Sequence, residues 1–122
     1  MKVVLQNKPP VFGNMANPQP GDVLLFEDPA VDPDSGKAIG DSLTRVHVLK
    51  DGSFLLDCTV RLTDEGNLVF AGGEEFSNVM KKATFTVVGG TGEYSGTGGY
   101  VDSTPTKSNG QEASLLTFHL DR

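Results

Sequence analysis

The sequence has a single cysteine, no tryptophan and no long apolar run among its 122 residues. One cysteine excludes an internal disulfide and a zinc site built from several thiolates. The longest apolar runs are about four residues, whereas a membrane-spanning helix needs roughly 20. The apolar stretch in the opening MKVVLQNKPP is also too short for a secretion signal. We therefore predict a cytoplasmic protein with no membrane partner.

Positive charge is also scarce, since 10 lysines and arginines face 16 aspartates and glutamates, giving a net charge of −6. A chain without a basic patch cannot gain affinity for nucleic acid by releasing counterions from phosphates. We therefore predict no nucleic-acid partner. The sequence shows neither the ligand spacing of a metal site nor a cofactor-binding motif, so we predict no metal and no cofactor.

The stretch VVGGTGEYSGTGGYVD, residues 87–102, contains six of the 15 glycines and raises the question of a phosphate-binding loop. Such a loop needs a following helix and, in the P-loop, a Lys-Ser/Thr pair. Here Gly99 leads into YVD and then STPTKSNG, a composition typical of turns. The glycines therefore indicate bends in a β-structure rather than a phosphate site.

Alternation of apolar and polar residues with a period of two dominates the sequence, and 22 glycines and prolines divide it into short segments. The predicted strands are residues 2–7, 21–28, 39–49, 54–62, 68–71, 84–88, 94–102 and 113–121, with a hairpin turn at 50–52. Eight antiparallel strands in one domain, residues 1–122, favour a closed barrel, because closure leaves no unpaired edge. A barrel of this size is about wide enough to hold one small ligand.

Three segments resemble known proteins in the same order along the chain. GDVLLFEDPAVDPDSGKAIGDS and DGSFLLDCTVRLTDEGNLVFAG resemble two segments of plant dirigent proteins. VVGGTGEYSGTGGYV is similar to the dirigent glycine-rich stretch and to that of allene oxide cyclases. The chain is identified as a member of the allene oxide cyclase/dirigent barrel superfamily. The resemblance implies an eight-stranded antiparallel β-barrel with an apolar axial pocket, assembled as a homo-oligomer, a trimer or a dimer.

The chain departs from both plant patterns at positions that carry charge in those proteins. Gly98 and Asp41 stand where the resemblance to dirigent proteins implies arginines. Gln6 is the position nearest to the first-strand carboxylate of plant allene oxide cyclase, and an amide cannot act as a base. These departures disfavour both plant activities, whereas the implied fold does not depend on them.

Glu27 and Asp28 are the first candidates for catalysis. They are adjacent in a predicted strand, so their side chains point to opposite faces, and the pattern does not choose which one faces the pocket. A carboxyl group at an apolar mouth would have a raised pKa suited to proton transfer. Alternatively, either carboxylate anchors the turn before Pro29 by accepting backbone N–H groups.

Two further pairs are candidates whose orientation the sequence leaves open. Arg45 and His47 share one face of the third strand; facing inward they would supply a cation and an acid/base group, and facing outward they would lie in solvent or at a subunit interface. Tyr94 and Tyr100 share a face of the predicted seventh strand, with glycines between them. That face forms either an aromatic pocket wall with hydroxyl groups, in which Tyr100 orients a carbonyl, or a close contact with a neighbouring strand or subunit.

The remaining candidates are predicted to contact the ligand. The predicted ligand-binding residues are Gln6, Phe26, Phe54, Leu56, Cys58, Val60, Tyr94 and Phe118. Several of them alternate along the apolar face of residues 54–62, which would line the pocket. Cys58 also fits the alternative of a small buried hydrophobic residue without ligand contact.

Taken together, these features predict a cyclase or isomerase that acts on a hydrophobic small molecule, polyketide-like or oxylipin-like, held inside the barrel. Catalysis would come from confinement of a reactive conformer and a few polar contacts. The resemblance to barrel proteins of bacterial biosynthetic pathways implies that a pericyclic reaction of the Diels–Alder type is among the possible reactions. The alternatives are a non-catalytic carrier of an apolar metabolite, dirigent-type stereocontrol of phenoxy radical coupling, and a structural oligomer with a filled interior.

Overall fold

A computed structural model describes residues 1–121 and shows a closed antiparallel β-barrel of eight strands, as predicted. The strands are β1 Lys2–Gln6, β2 Val23–Val31, β3 Ala38–Val48, β4 Ser53–Leu62, β5 Gly66–Glu75, β6 Ala83–Gly90, β7 Gly98–Ser108 and β8 Gln111–Asp121. Each strand pairs with its neighbour in sequence, and β8 pairs with β1 to close the barrel. The helical elements are α1 (Phe76–Val79) and 3-10 turns at Lys50–Gly52 and Gly92–Tyr94. Within residues 1–121, no helix has the length and apolar character needed to cross a membrane.

The period-two alternation places apolar side chains inside the barrel. In β4, Phe54, Cys58 and Val60 are buried, whereas Leu55 and Arg61 point outward. The core continues around the barrel on the inward faces of the other strands, and burial of this apolar surface supplies the main favourable free energy of folding.

The second strand is longer than predicted, because it continues through Pro29 to Val31. Leu25 exchanges backbone hydrogen bonds with Val11 and Phe12 on the side of β2 away from β3. Pro29 lies four residues further on and therefore directs its backbone nitrogen to that same side, where β1 has not yet begun to pair. The missing N–H consequently costs no hydrogen bond to β3.

The seventh strand also differs from the prediction. It begins at Gly98 rather than at Tyr94, which lies in the 3-10 turn. It then continues through STPTKS to Ser108, so of the stretch STPTKSNG, which was predicted to form turns, only the last two residues do so. The turn is the two-residue loop Asn109–Gly110, where both residues have positive φ angles, as a tight hairpin requires.

The two ends of the barrel differ in structure. Because successive strands run in opposite directions, the connections 7–22, 49–52, 76–82 and 109–110 lie at one end, here called the mouth end. The connections 32–37, 63–65 and 91–97 lie at the other, the base end. Tyr94 is buried at the base, and its hydroxyl group donates a 2.6 Å hydrogen bond to Glu65 Oε1. The base is therefore closed by the protein's own side chains.

Candidate active site

A cavity of about 290 Å³ lies inside the barrel. Its lining includes Asn7, Lys8, Met15 and Val79, which belong to the connections of the mouth end. The cavity is therefore reached from the mouth, whereas the base is filled by buried apolar residues such as Val60, Leu68 and Val101. The interior of this barrel is thus neither completely filled nor open at both ends.

One half of the cavity wall, formed by β4, β5 and β6, is aromatic. Phe54, Phe70 and Phe85 line it, one from each strand. The ring centroids of Phe70 and Phe85 lie 5.7 Å apart, and those of Phe54 and Phe85 lie 6.5 Å apart. The rings are tilted by 50° between Phe54 and Phe85 and by 33° between Phe70 and Phe85, so they offer a curved aromatic surface to an apolar or conjugated ligand.

The other half, formed by β7, β8, β1, β2 and β3, carries the polar groups. Its polar lining residues on these strands are Asp28, Thr44, Ser103 and Ser114. The hydroxyl of Ser114 donates to Asn7 Oδ1 at 3.1 Å, which links the wall to the mouth. A ligand that fits this cavity would therefore place an apolar face on the phenylalanines and a polar edge against these side chains.

Among the lining residues within residues 1–121, Asp28 is the only carboxylic acid. Its side chain is buried, and Oδ1 accepts a 3.1 Å hydrogen bond from the backbone N–H of Lys8. Burial raises the pKa of Asp28 above its ordinary value, partly offset by the bond and the positive charge of Lys8. Asp28 therefore holds its proton to higher pH than an exposed aspartate, as a group that transfers protons requires.

The Lys8 amide is available to Asp28 because β1 separates from β2 after a short pairing. The two strands pair at Val4 and Leu5, and the chain returns to β2 at Val11 and Phe12. Pro9 and Pro10 lie between these points, and they carry no backbone N–H to continue the ladder.

Cys58 also lines the cavity, next to Thr44 on the neighbouring strand. The hydroxyl group of Thr44 donates to Cys58 Sγ at 3.2 Å. Burial raises the pKa of the thiol to about 12, so the sulfur stays protonated at neutral pH. A protonated thiol is a poor nucleophile, and Cys58 contributes shape and apolar surface instead.

Of the residues predicted from the sequence, five line the cavity. These are Phe26, Asp28, Phe54, Leu56 and Cys58. The structure thus resolves the choice between adjacent carboxyl groups, because Asp28 faces the cavity and Glu27 is exposed on the outer face. The roles of these five residues in ligand binding stay predictions.

The other polar candidates lie outside the cavity. Arg45 and His47 are exposed, and Arg45 forms an ion pair of 2.8 Å with Asp57 on the outer wall. Tyr100 is 46% exposed and stacks on His119 with ring centroids 4.4 Å apart. The prediction that Tyr94 and Tyr100 share a strand face was wrong, since Tyr94 lies in the turn that closes the base.

Three predicted ligand-binding residues have other surroundings. Gln6 donates from Nε2 to Ser108 Oγ at 3.2 Å, across the mouth end of the wall. Val60 and Phe118 are buried in the core, outside the cavity lining.

Several lining residues were not predicted, and some had a detectable signal. Phe70 and Phe85 lie in predicted strands, and their inward positions follow from the alternation once the strand ends are known. Thr44 lies on the face of β3 that the sequence left open. Met15 and Val79 come from irregular connections, where no periodic pattern fixes which side chain turns toward the cavity.

Known structures share this barrel. No protein-family profile matches the chain, and no curated protein matches its sequence. A pyocyanin demethylase superimposes with a TM-score of 0.73 at 21% identity, over 98% of both chains. The pterocarpan synthase dirigent protein PsPTS1 gives 0.71 at 15% identity, over 98% of this chain and 90% of the other. A heme-binding cyclase of neoabyssomicin biosynthesis gives 0.76 at 18% identity, over 99% of this chain and 62% of the other.

The chain has the dirigent-type barrel fold. The expectation of this fold from the three sequence segments is therefore confirmed. At these identities the likeness concerns the backbone, and the chemistry must be argued from the cavity itself.

Proposed function

We propose that the protein is a cyclase or isomerase that holds a compact hydrophobic molecule inside the barrel. The observation that carries this proposal is the buried carboxyl group of Asp28 in a cavity whose other half includes three phenylalanines among otherwise apolar lining residues. The similarity to a cyclase that catalyses a cycloaddition supports the same interpretation. A single titratable carboxyl in an apolar cavity is a common arrangement for catalysis of proton transfer or for stabilising a developing oxyanion.

The cavity limits the substrate in size and polarity. A volume of about 290 Å³ lies at the lower end of the range of roughly 300–1,000 Å³ for small-molecule sites. We propose a largely apolar, conjugated substrate with a carbonyl or hydroxyl group on one edge. The apolar body would lie on Phe54, Phe70 and Phe85, and the polar edge would lie toward Asp28.

The geometry supports two contributions to catalysis. The cavity confines a flexible chain in a folded conformer, which removes conformational entropy before the reaction. Protonated Asp28 donates a hydrogen bond to the substrate carbonyl, and ionised Asp28 accepts a proton from an adjacent carbon. Because the pKa of Asp28 is raised, the protonated form persists to higher pH beside the ionised form.

A substitution at Asp28 tests this function. A panel of conjugated ketones and polyenes would be incubated with the wild type, with Asp28→Asn and with the control Asp57→Asn, which changes a carboxylate on the outer wall. Binding is followed by native mass spectrometry and conversion by chromatography. We expect Asp28→Asn to bind a substrate and to convert it roughly 100-fold more slowly, the usual minimum contribution of general acid–base catalysis. Conversion at the wild-type rate by Asp28→Asn would refute the proposed role.

A carrier of an apolar metabolite is the second candidate. It is favoured by the protonated thiol of Cys58, which leaves the described cavity wall without an activated nucleophile. In the same experiment, a carrier returns every bound compound unchanged.

We further propose that the protein works in the cytoplasm as a homo-oligomer, a trimer or a dimer. Tyr100 is exposed on the outer wall and stacks on His119, and a second copy could cover this pair of rings. Light scattering after size-exclusion chromatography measures the mass directly, and a mass of one chain would contradict this proposal.

A further inference from the structure

Exposed apolar side chains surround the mouth of the barrel. Six of the ten large hydrophobic residues exposed within residues 1–121 belong to connections of the mouth end, with exposed fractions from 39% to 74%. This apolar collar consists of Val11, Phe12, Met15, Leu49, Val79 and Met80. Met15 and Val79 also line the cavity, so the collar is continuous with its apolar interior. An apolar patch of this kind marks a surface that contacts a partner.

The charges of the protein are distributed unevenly between the two ends. At the mouth end, five lysines accompany the collar: Lys8, Lys50, Lys81, Lys82 and Lys107. Six carboxylates accompany them there: Asp22, Asp51, Glu74, Glu75, Asp102 and Glu112, of which Asp102 lies 3.9 Å from Lys82. The mouth end is therefore nearly neutral although the protein as a whole is strongly acidic.

The base end is acidic. It carries Lys2 and Lys37 against six carboxylates: Asp32, Asp34, Asp64, Glu65, Glu93 and Asp121. A negatively charged surface therefore repels the base end more strongly than the mouth end. This difference turns the cavity entrance toward that surface.

We propose that the mouth end docks on the surface of a phospholipid bilayer. Apolar side chains from separate connections can enter the headgroup region independently, and the lysines reach lipid phosphates with their ammonium groups while their alkyl stems cover apolar surface. The sequence predicted no membrane partner because no segment is long enough to span. Docking by a collar of loop residues needs no spanning segment. The entrance would then face the lipid, and an apolar ligand would enter the cavity without crossing water.

Flotation with vesicles tests the docking surface, and it requires no knowledge of the ligand. The full chain is mixed with phosphatidylcholine vesicles that contain a fraction of phosphatidylglycerol. The double variant Phe12→Ser/Met80→Ser removes two collar side chains that are 60% and 74% exposed. The matched control Leu55→Ser/Val88→Ser removes two that are 52% and 59% exposed on the outer wall. We expect the collar variant to lose roughly tenfold or more in binding and the control to bind as the wild type does.

A second pair of variants tests the lysines. Lys50→Gln/Lys81→Gln should weaken binding to anionic vesicles roughly tenfold while leaving binding to phosphatidylcholine alone unchanged. Circular dichroism confirms that each variant folds. The proposal is overturned if the wild type does not float, or if the collar and wall variants float equally. It is also overturned if the collar substitutions lower the oligomeric mass in solution, since the collar would then be an interface between copies of the chain.

Discussion

The backbone N–H of Lys8 donates a 3.1 Å hydrogen bond to Oδ1 of Asp28, the carboxyl group in the described cavity wall. This bond joins the connection that lines the mouth to the residue that we propose to transfer protons. Lys8 also carries a charge that favours ionisation of Asp28, whereas burial opposes it. These opposing effects leave the pKa of Asp28 above its ordinary value, with burial as the largest cause.

The raised pKa of Asp28 predicts how stability changes with pH. Since the folded protein holds this proton more tightly than the unfolded chain, Asp28 costs no stability below its ordinary pKa of 3.8. The cost develops as the pH rises through the higher pKa of the folded state. The neutral variant Asp28→Asn should therefore be more stable than the wild type at pH 7, and the difference should vanish near roughly pH 3.

Urea denaturation at both pH values measures this difference. Asp57→Asn is the control, because Asp57 forms an exposed ion pair with Arg45 and gains nothing from neutralisation. A variant Asp28→Asn that is less stable than the wild type at pH 7 would show that the bond to Lys8 outweighs the cost of burial.

Two adjacent glycines predict opposite effects of the same substitution. Gly99 has a φ angle of +120°, and a Cβ atom there would collide with the carbonyl oxygen of His119 in β8. At Gly98 a Cβ atom would enter open space, with no heavy atom of another part of the chain within 4 Å. We expect Gly99→Ala to lower the free energy of unfolding by about 2–3 kcal/mol or more, and Gly98→Ala to change it by less than about 1 kcal/mol. Thermal unfolding of the two variants side by side checks this, and equal melting temperatures would contradict the register of β7 and β8.

The two tyrosines form a second matched pair. Tyr94→Phe removes the hydroxyl group that donates to Glu65 at the base, and we expect a loss of about 1 kcal/mol. Tyr100→Phe keeps a ring stacked on His119 at the outer wall, and we expect a change below about 0.5 kcal/mol. The midpoint of urea denaturation measures both. Ligand binding should be unaffected by Tyr100→Phe, and a loss of binding there would place the site outside the barrel interior.

Much of the barrel could be predicted because strand alternation is a local property. The face of β4 that carries Phe54, Leu56 and Cys58 was predicted to point inward, and it does. The ends of strands were harder, because Pro29 and Pro105 look like terminators in the sequence. They are tolerated where their missing N–H interrupts no essential ladder bond, and that depends on the neighbouring strand.

The sequence by itself determined the class of fold, through its period-two pattern, its frequent turns and its scarcity of helical periodicity. Only the tertiary structure decided which side chains meet in the cavity. Asp28 and Glu27 are equivalent in the local pattern, and closure of the barrel turned one inward and the other outward. The connections that form the mouth follow no periodic pattern, so their apolar collar emerged only when alternating strands brought distant segments to the same end. The burial of a residue and the charges around it depend on neighbours that are distant in sequence. The candidate catalytic group could therefore be identified only in the folded chain.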